Sequence, residues 1–61
     1  MTYGELKRKV KKNNCKFDHE GASHEMWKNL TTGKLFPIGR HDTQEVPKGT
    51  LNSILKDAGL K

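Results

Sequence analysis

His24 follows the small residues Gly21 and Ala22, stands beside Ser23, and has Lys28 further along the same stretch. An imidazole takes up or releases a proton near neutral pH, so a histidine presented at a tight turn is suited to general acid or base work. Ser23 offers a hydroxyl, and Lys28 offers a positive charge. Stretch 21–30 is therefore the candidate active site, the competing possibility being an ordinary solvated histidine. The other reactive side chains are less promising. Cys15, His19, His24 and His41 form neither a C-x-x-C nor an H-x-x-x-H pair, so no metal site and no metal cofactor is expected. Cys15 lies on an apolar phase with Phe17, which suggests a buried, inert thiol. His19 shares that phase and reads as a semi-buried histidine bonded to backbone. His41 follows Arg40 in a loop, where phosphate contact and plain solvation both stay open.

The elements that must position these groups are legible in the pattern. Thr2-Tyr3-Gly4-Glu5 has capping-box spacing, so a helix should begin there. Tyr3, Leu6 and Val10 form its apolar stripe, and Lys7, Arg8, Lys9, Lys11 and Lys12 cover the rest. Asn13-Asn14 can supply the left-handed residue that closes it. From Cys15 the period becomes alternating, with Cys15 and Phe17 facing one way and Lys16, Asp18 and Glu20 the other. A turn at Gly21-Ala22 leads to a second strand over residues 23 to about 30. Thr31-Thr32-Gly33-Lys34 reads as a hairpin turn with positive φ at Gly33, and Leu35-Phe36-Pro37-Ile38 as a third strand that Pro37 confines to the sheet edge.

Trp27 and Met26 point to opposite faces of the second strand. Covering an aromatic side chain is worth about 1.5–3 kcal/mol, so Trp27 should lie under the helices with Phe17, leaving His24, Met26 and Lys28 on the open face. After a polar connection through Gln44, Pro47 pre-sets a second helix. Its stripe is Leu51, Ile54, Leu55 and Ala58, and Gly59-Leu60 forms a Schellman stop. Two helices with one stripe each cover one face of a three-stranded meander, an α+β fold of two layers.

The chain has 61 residues, twelve Lys and Arg against seven Asp and Glu, and a formal net charge of +5. That describes one small basic domain, residues 1–61, for which a polyanionic partner and simple solubility are both adequate explanations of the charge. With one cysteine no internal disulfide can form, and a reducing, cytoplasmic setting is expected. No apolar run approaches the roughly 18 residues of a membrane span, and the basic N-terminus lacks the apolar stretch of a signal peptide.

Four segments taken in order resemble the HicA family of bacterial toxins: Gly21-Ala22-Ser23-His24, Thr32-Gly33-Lys34-Leu35-Phe36-Pro37, Arg40-His41, and Lys48-Gly49-Thr50-Leu51 with Ile54-Leu55-Lys56-Asp57-Ala58-Gly59-Leu60. The likeness covers nearly the whole chain. It implies a double-stranded-RNA-binding-like fold of helix, three strands and helix, and an mRNA-cleaving activity neutralised by a HicB-type antitoxin. The free toxin would be a monomer and the neutralised form a hetero-oligomer. The family's catalytic histidine maps onto His24. Two positions depart from the pattern: Ala22 stands where members often carry a second Gly, and Gly39 where many carry Pro. Gly39 is expected to loosen the loop that presents Arg40 and His41.

On that resemblance, His24 would deprotonate a ribose 2′-hydroxyl, for which an unperturbed imidazole pKa of about 6.5 is suited. Lys28, Arg40, His41, Lys7 and Lys11 are the expected RNA contacts, with His41 also a candidate general acid. Gly21, Ser23 and Trp27 are the expected structural supports. The alternatives are an RNA-binding module without chemistry, and a small interaction domain whose charge serves solubility.

Overall fold

The computed structural model describes residues 1–61. The element order is α1 (Tyr3–Lys12), β1 (Cys15–Glu20), β2 (Glu25–Asn29), β3 (Leu35–Ile38) and α2 (Lys48–Asp57). The strands form one antiparallel sheet in the order β1-β2-β3, with β2 central and the Pro37-bearing β3 at an edge. Fold class and order are those expected from the sequence.

Each helix end follows from its residues. Thr2 caps α1 by accepting from the Glu5 amide, while the Glu5 carboxylate accepts from the Thr2 amide at 2.8 Å, completing the capping box. The next amides are satisfied by the loop after β3: Tyr3 N–H donates to the Gln44 carbonyl at 3.0 Å and Gly4 N–H to the Asp42 carbonyl at 2.9 Å. Asn14 closes the helix at φ 63°. Pro47 precedes α2 as its cap residue, one position earlier than the first helical residue. At the other end Gly59 has φ 82°, and Leu60 N–H donates to the Leu55 carbonyl at 2.8 Å, the bond of a Schellman stop.

The helices share one side of the sheet. Leu6, Val10, Cys15, Trp27, Phe36, Ile38, Val46, Ile54 and Ala58 make a single core, with Tyr3, Leu51, Leu55 and Leu60 packed against it. Trp27 is buried, as the size of its ring demands. Phe17 is not: it is 44% exposed and meets Trp27 edge-on, with ring centroids 6.3 Å apart. The reason is that β1 is an edge strand and only its first residue, Cys15, is buried.

The strand boundaries hold two further differences. The second strand begins at Glu25, so His24 lies in the connection before it and not in the ladder. Within β1 the register shifts between Phe17 and His19, which sets His19 opposite Met26 and Glu20 opposite Glu25. This bulge puts the end of the strand out of phase with its start. His19 therefore leaves the apolar phase; it is exposed and bonds the Asp18 carboxylate at 2.6 Å, not backbone.

Candidate functional site

Turn 21–24 is closed by a hydrogen bond from the Gly21 N–H to the His24 carbonyl at 2.8 Å. Glycine is required there: a Cβ at Gly21 would lie 2.7 Å from that same carbonyl oxygen. Ala22, Ser23 and His24 are all exposed, and the Ser23 hydroxyl lies 3.2 Å from His24 Nδ1. His24 Nε2 has no partner in the chain. Gly21 and Ser23 thus contact the histidine residue directly, whereas Trp27 lies in the core and bonds Glu25, the next residue.

On its far side the turn runs into a charged network. The Glu25 carboxylate accepts from the Trp27 indole N–H at 3.1 Å and pairs with Lys7 Nζ at 3.2 Å. Lys7 Nζ also donates to Asp42 at 2.6 Å and to the Arg40 carbonyl at 3.4 Å. Lys7 is buried, and burial, the largest influence on its ammonium, would lower its pKa. The hydrogen bonds and charges of Asp42 and Glu25 outweigh that penalty and leave it above the ordinary lysine value. Expected on an RNA-binding face, Lys7 is a structural hub joining α1, β2 and the segment after β3. A signal for this was present: positions 3, 6, 7 and 10 complete the i, i+3, i+4, i+7 pattern, which places Lys7 on the buried side of α1.

Arg40 is likewise engaged. Its Nε donates to Glu20 at 2.9 Å and its Nη2 to the Gly21 carbonyl. His41 is exposed on the same segment, with its carbonyl accepting from the Gln44 amide at 3.0 Å. Gly39 has a packing role in this segment. The Tyr3 ring packs against it, with ring atoms 2.9–3.1 Å from where a Cβ would sit, so the small residue makes room for the aromatic one.

The remaining expected contacts lie elsewhere. Lys28 is half-buried on β2, directly opposite Lys16 and Leu35, and at about 3.3 Å per residue it stands roughly 13 Å along the chain from His24. Lys11 is exposed on α1 and, like Arg8, Lys9 and Lys12, makes no ion pair. The structure therefore brings His24, Arg40 and His41 to one end of the sheet, where Glu25 pairs with Ile38, and leaves Lys28 and Lys11 apart from them. No three His, Cys, Asp or Glu side chains converge. Cys15 is buried, and desolvation raises its thiol pKa.

Asn29, not anticipated as important, is a second hub. It is buried, its Nδ2 donates to the Asp57 carbonyl at 3.1 Å, and its Oδ1 accepts from the Thr31 and Thr32 amides at 2.9 and 3.3 Å. One amide thus joins the β2–β3 hairpin to the end of α2. The clue was its phase, two residues beyond Trp27 on the buried side of the strand.

Fold and site together define a small basic two-layer α+β protein in which His24, exposed on a closed turn, is the candidate reactive group. Residues 3–60 match the family model described as the HicA toxin of bacterial toxin-antitoxin systems, and the chain belongs to that family. It is thus the toxin member of a toxin–antitoxin system, with an antitoxin as its partner. No curated protein and no solved structure matches the chain. No helix is long and apolar enough to cross a membrane.

Proposed function

We propose that this HicA-family toxin is a metal-independent endoribonuclease that cleaves mRNA in the cytoplasm, with His24 as general base and a HicB-type antitoxin as its inhibitor. The observation that carries this reading is the state of His24: exposed on a closed turn, Nδ1 beside Ser23, and Nε2 free. With Ser23 Oγ accepting from Nδ1–H, Nε2 holds the lone pair. It removes the proton of a ribose 2′-hydroxyl, the 2′-oxygen attacks the adjacent phosphorus, and the P–O5′ bond breaks. The 5′-oxygen takes a proton, for which His41 is the candidate donor, and the products are a 2′,3′-cyclic phosphate and a 5′-hydroxyl. General base catalysis contributes about 10²–10⁴-fold, so positioning and electrostatics supply the remainder. Lys28 and Lys11 contact phosphates away from the scissile one, and their charges favour binding by counterion release.

The test is cleavage and gel shift on a single-stranded transcript. His24→Ala is expected to abolish cleavage and toxicity while still shifting the RNA; retained cleavage overturns the assignment. Cleavage should survive a chelator, stop when the scissile nucleotide is 2′-deoxy, and leave cyclic phosphate ends. One observation favours the alternative of a non-catalytic RNA-binding module: the cations nearest the turn, Arg40 and Lys7, are paired inside the chain. That module would shift the transcript and leave it whole.

A further inference from the structure

We infer that Arg40 is a positioning residue, a clamp on the turn that carries His24, and not a contact to substrate phosphate. The inference deepens the endoribonuclease reading and rests on it for its kinetic consequence. The guanidinium spans two consecutive acceptors where β1 enters the turn, the Glu20 carboxylate at 2.9 Å and the Gly21 carbonyl. Gly21 then holds His24 through its own N–H at 2.8 Å. A planar fork of N–H donors can serve two such acceptors at once; a lysine ammonium at the same place is a point charge on a flexible stem.

The clamp is itself anchored. The Arg40 carbonyl accepts from Lys7 Nζ, and Lys7 pairs with Glu25, the residue that follows His24. The turn is therefore gripped on both flanks, by Arg40 at residues 20 and 21 and by Lys7 at residue 25. The two grips meet at the Arg40 backbone. Placement of a general base matters because reactive geometry tolerates little displacement.

The two possible roles of Arg40 predict opposite signs for one substitution. If Arg40 binds phosphate, Glu20 competes for it, and Glu20→Ala frees the cation and makes the protein more basic, so RNA binding tightens and turnover holds or rises. If Arg40 is a clamp, Glu20→Ala weakens it and turnover falls despite the extra positive charge. We expect Glu20→Ala and Arg40→Lys each to lower kcat by about tenfold with little change in RNA affinity. Arg40→Ala should leave the salt dependence of RNA binding unchanged; a drop in the log–log slope of about 0.7, the signature of one lost phosphate contact to a single strand, overturns the proposal. Independently of activity, amide exchange at Gly21 should be faster in Arg40→Lys and Glu20→Ala than in the parent, and unchanged exchange in both overturns the clamp. Should His24→Ala cleave normally, the assignment of His24 as general base fails, and should the parent leave the transcript whole, the endoribonuclease reading fails; in either case the exchange rates and salt slope still decide the role of Arg40.

Discussion

Gly21 and His24 are joined twice over: the Gly21 N–H donates to the His24 carbonyl at 2.8 Å, and the same oxygen occupies the space that a Cβ at Gly21 would need, 2.7 Å away. The obstacle is backbone, which cannot swing aside as a side chain would. Gly21→Ala is therefore expected to push the two sides of the turn apart, costing about 1–3 kcal/mol by analogy with other overpacked sites. Thermal unfolding measures that cost, and cleavage should fall further than the loss of folded protein accounts for. Parent-like stability and activity would show that the turn adapts without displacing His24.

Asn29 offers a prediction about the other end of the sheet. Its side-chain amide holds the Asp57 carbonyl and the Thr31 and Thr32 amides from a buried position. Removing a buried partner leaves the others unsatisfied at about 1–3 kcal/mol, so Asn29→Ala should fall in or above that range. Asn29→Asp keeps the acceptor for the two threonine amides but cannot donate to Asp57, and it sets a negative charge beside the carbonyl end of α2. Urea unfolding should therefore rank the parent above both variants. Because His24 is at the opposite end of β2, activity per folded molecule should not change.

The elements were legible because each rests on a local rule. Thr2 and Glu5 cap α1, Asn14 and Gly59 take positive φ where a helix must stop, and Gly33 turns the hairpin at φ 77°. The buried ring of Trp27 fixed the inward face of β2. What the pattern hid were polar residues on buried phases and one irregularity of backbone. Lys7 lies within the α1 stripe and Asn29 on the Trp27 face, yet a charge and an amide read as surface until their partners, distant in sequence, are known. The bulge after Phe17 adds no residue type that announces it, and it moved His19 and Glu20 across the sheet. Glu20, set opposite Glu25 by that shift, is the carboxylate that pairs with Arg40, so pairing across the turn, not composition, decided which cations were free for a partner.

Cys15 should behave as a core residue. Its Sγ lies 3.6 Å from the Ala58 carbonyl, the thiol is buried, and desolvation raises its pKa, which reduces the thiolate that reacts with alkylating or disulfide reagents. An aromatic disulfide reagent at neutral pH is expected to leave folded protein unmodified and to titrate one thiol in urea. The labelling rate then reports opening of β1 from α2, and fast labelling without denaturant would mean that this contact frays on its own.

Lys7 ties stability to pH, with a sign fixed by the direction of its shift. Burial works against its charge, but Asp42 and Glu25 more than compensate, so its pKa in the folded chain lies above the unfolded value. The stability it contributes is thus full below the ordinary lysine pKa of about 10.4 and is lost as pH rises through the folded value. Lys7→Met removes the cation and keeps most of the apolar stem, leaving Glu25 with only the Trp27 indole. The cost should be about 2 kcal/mol at pH 7, below that of breaking a fully buried pair because Asp42 is 66% exposed and regains water. Urea unfolding followed through the single tryptophan, whose indole N–H touches the network, measures both effects. The gap between parent and variant should hold from pH 7 to pH 9 and narrow above about pH 10.4. A gap that stayed constant through that rise would show that the charge of Lys7 is not its source. Lys7→Met should also leave the salt slope of RNA binding intact, since an ammonium already held by two carboxylates releases no counterions from phosphate.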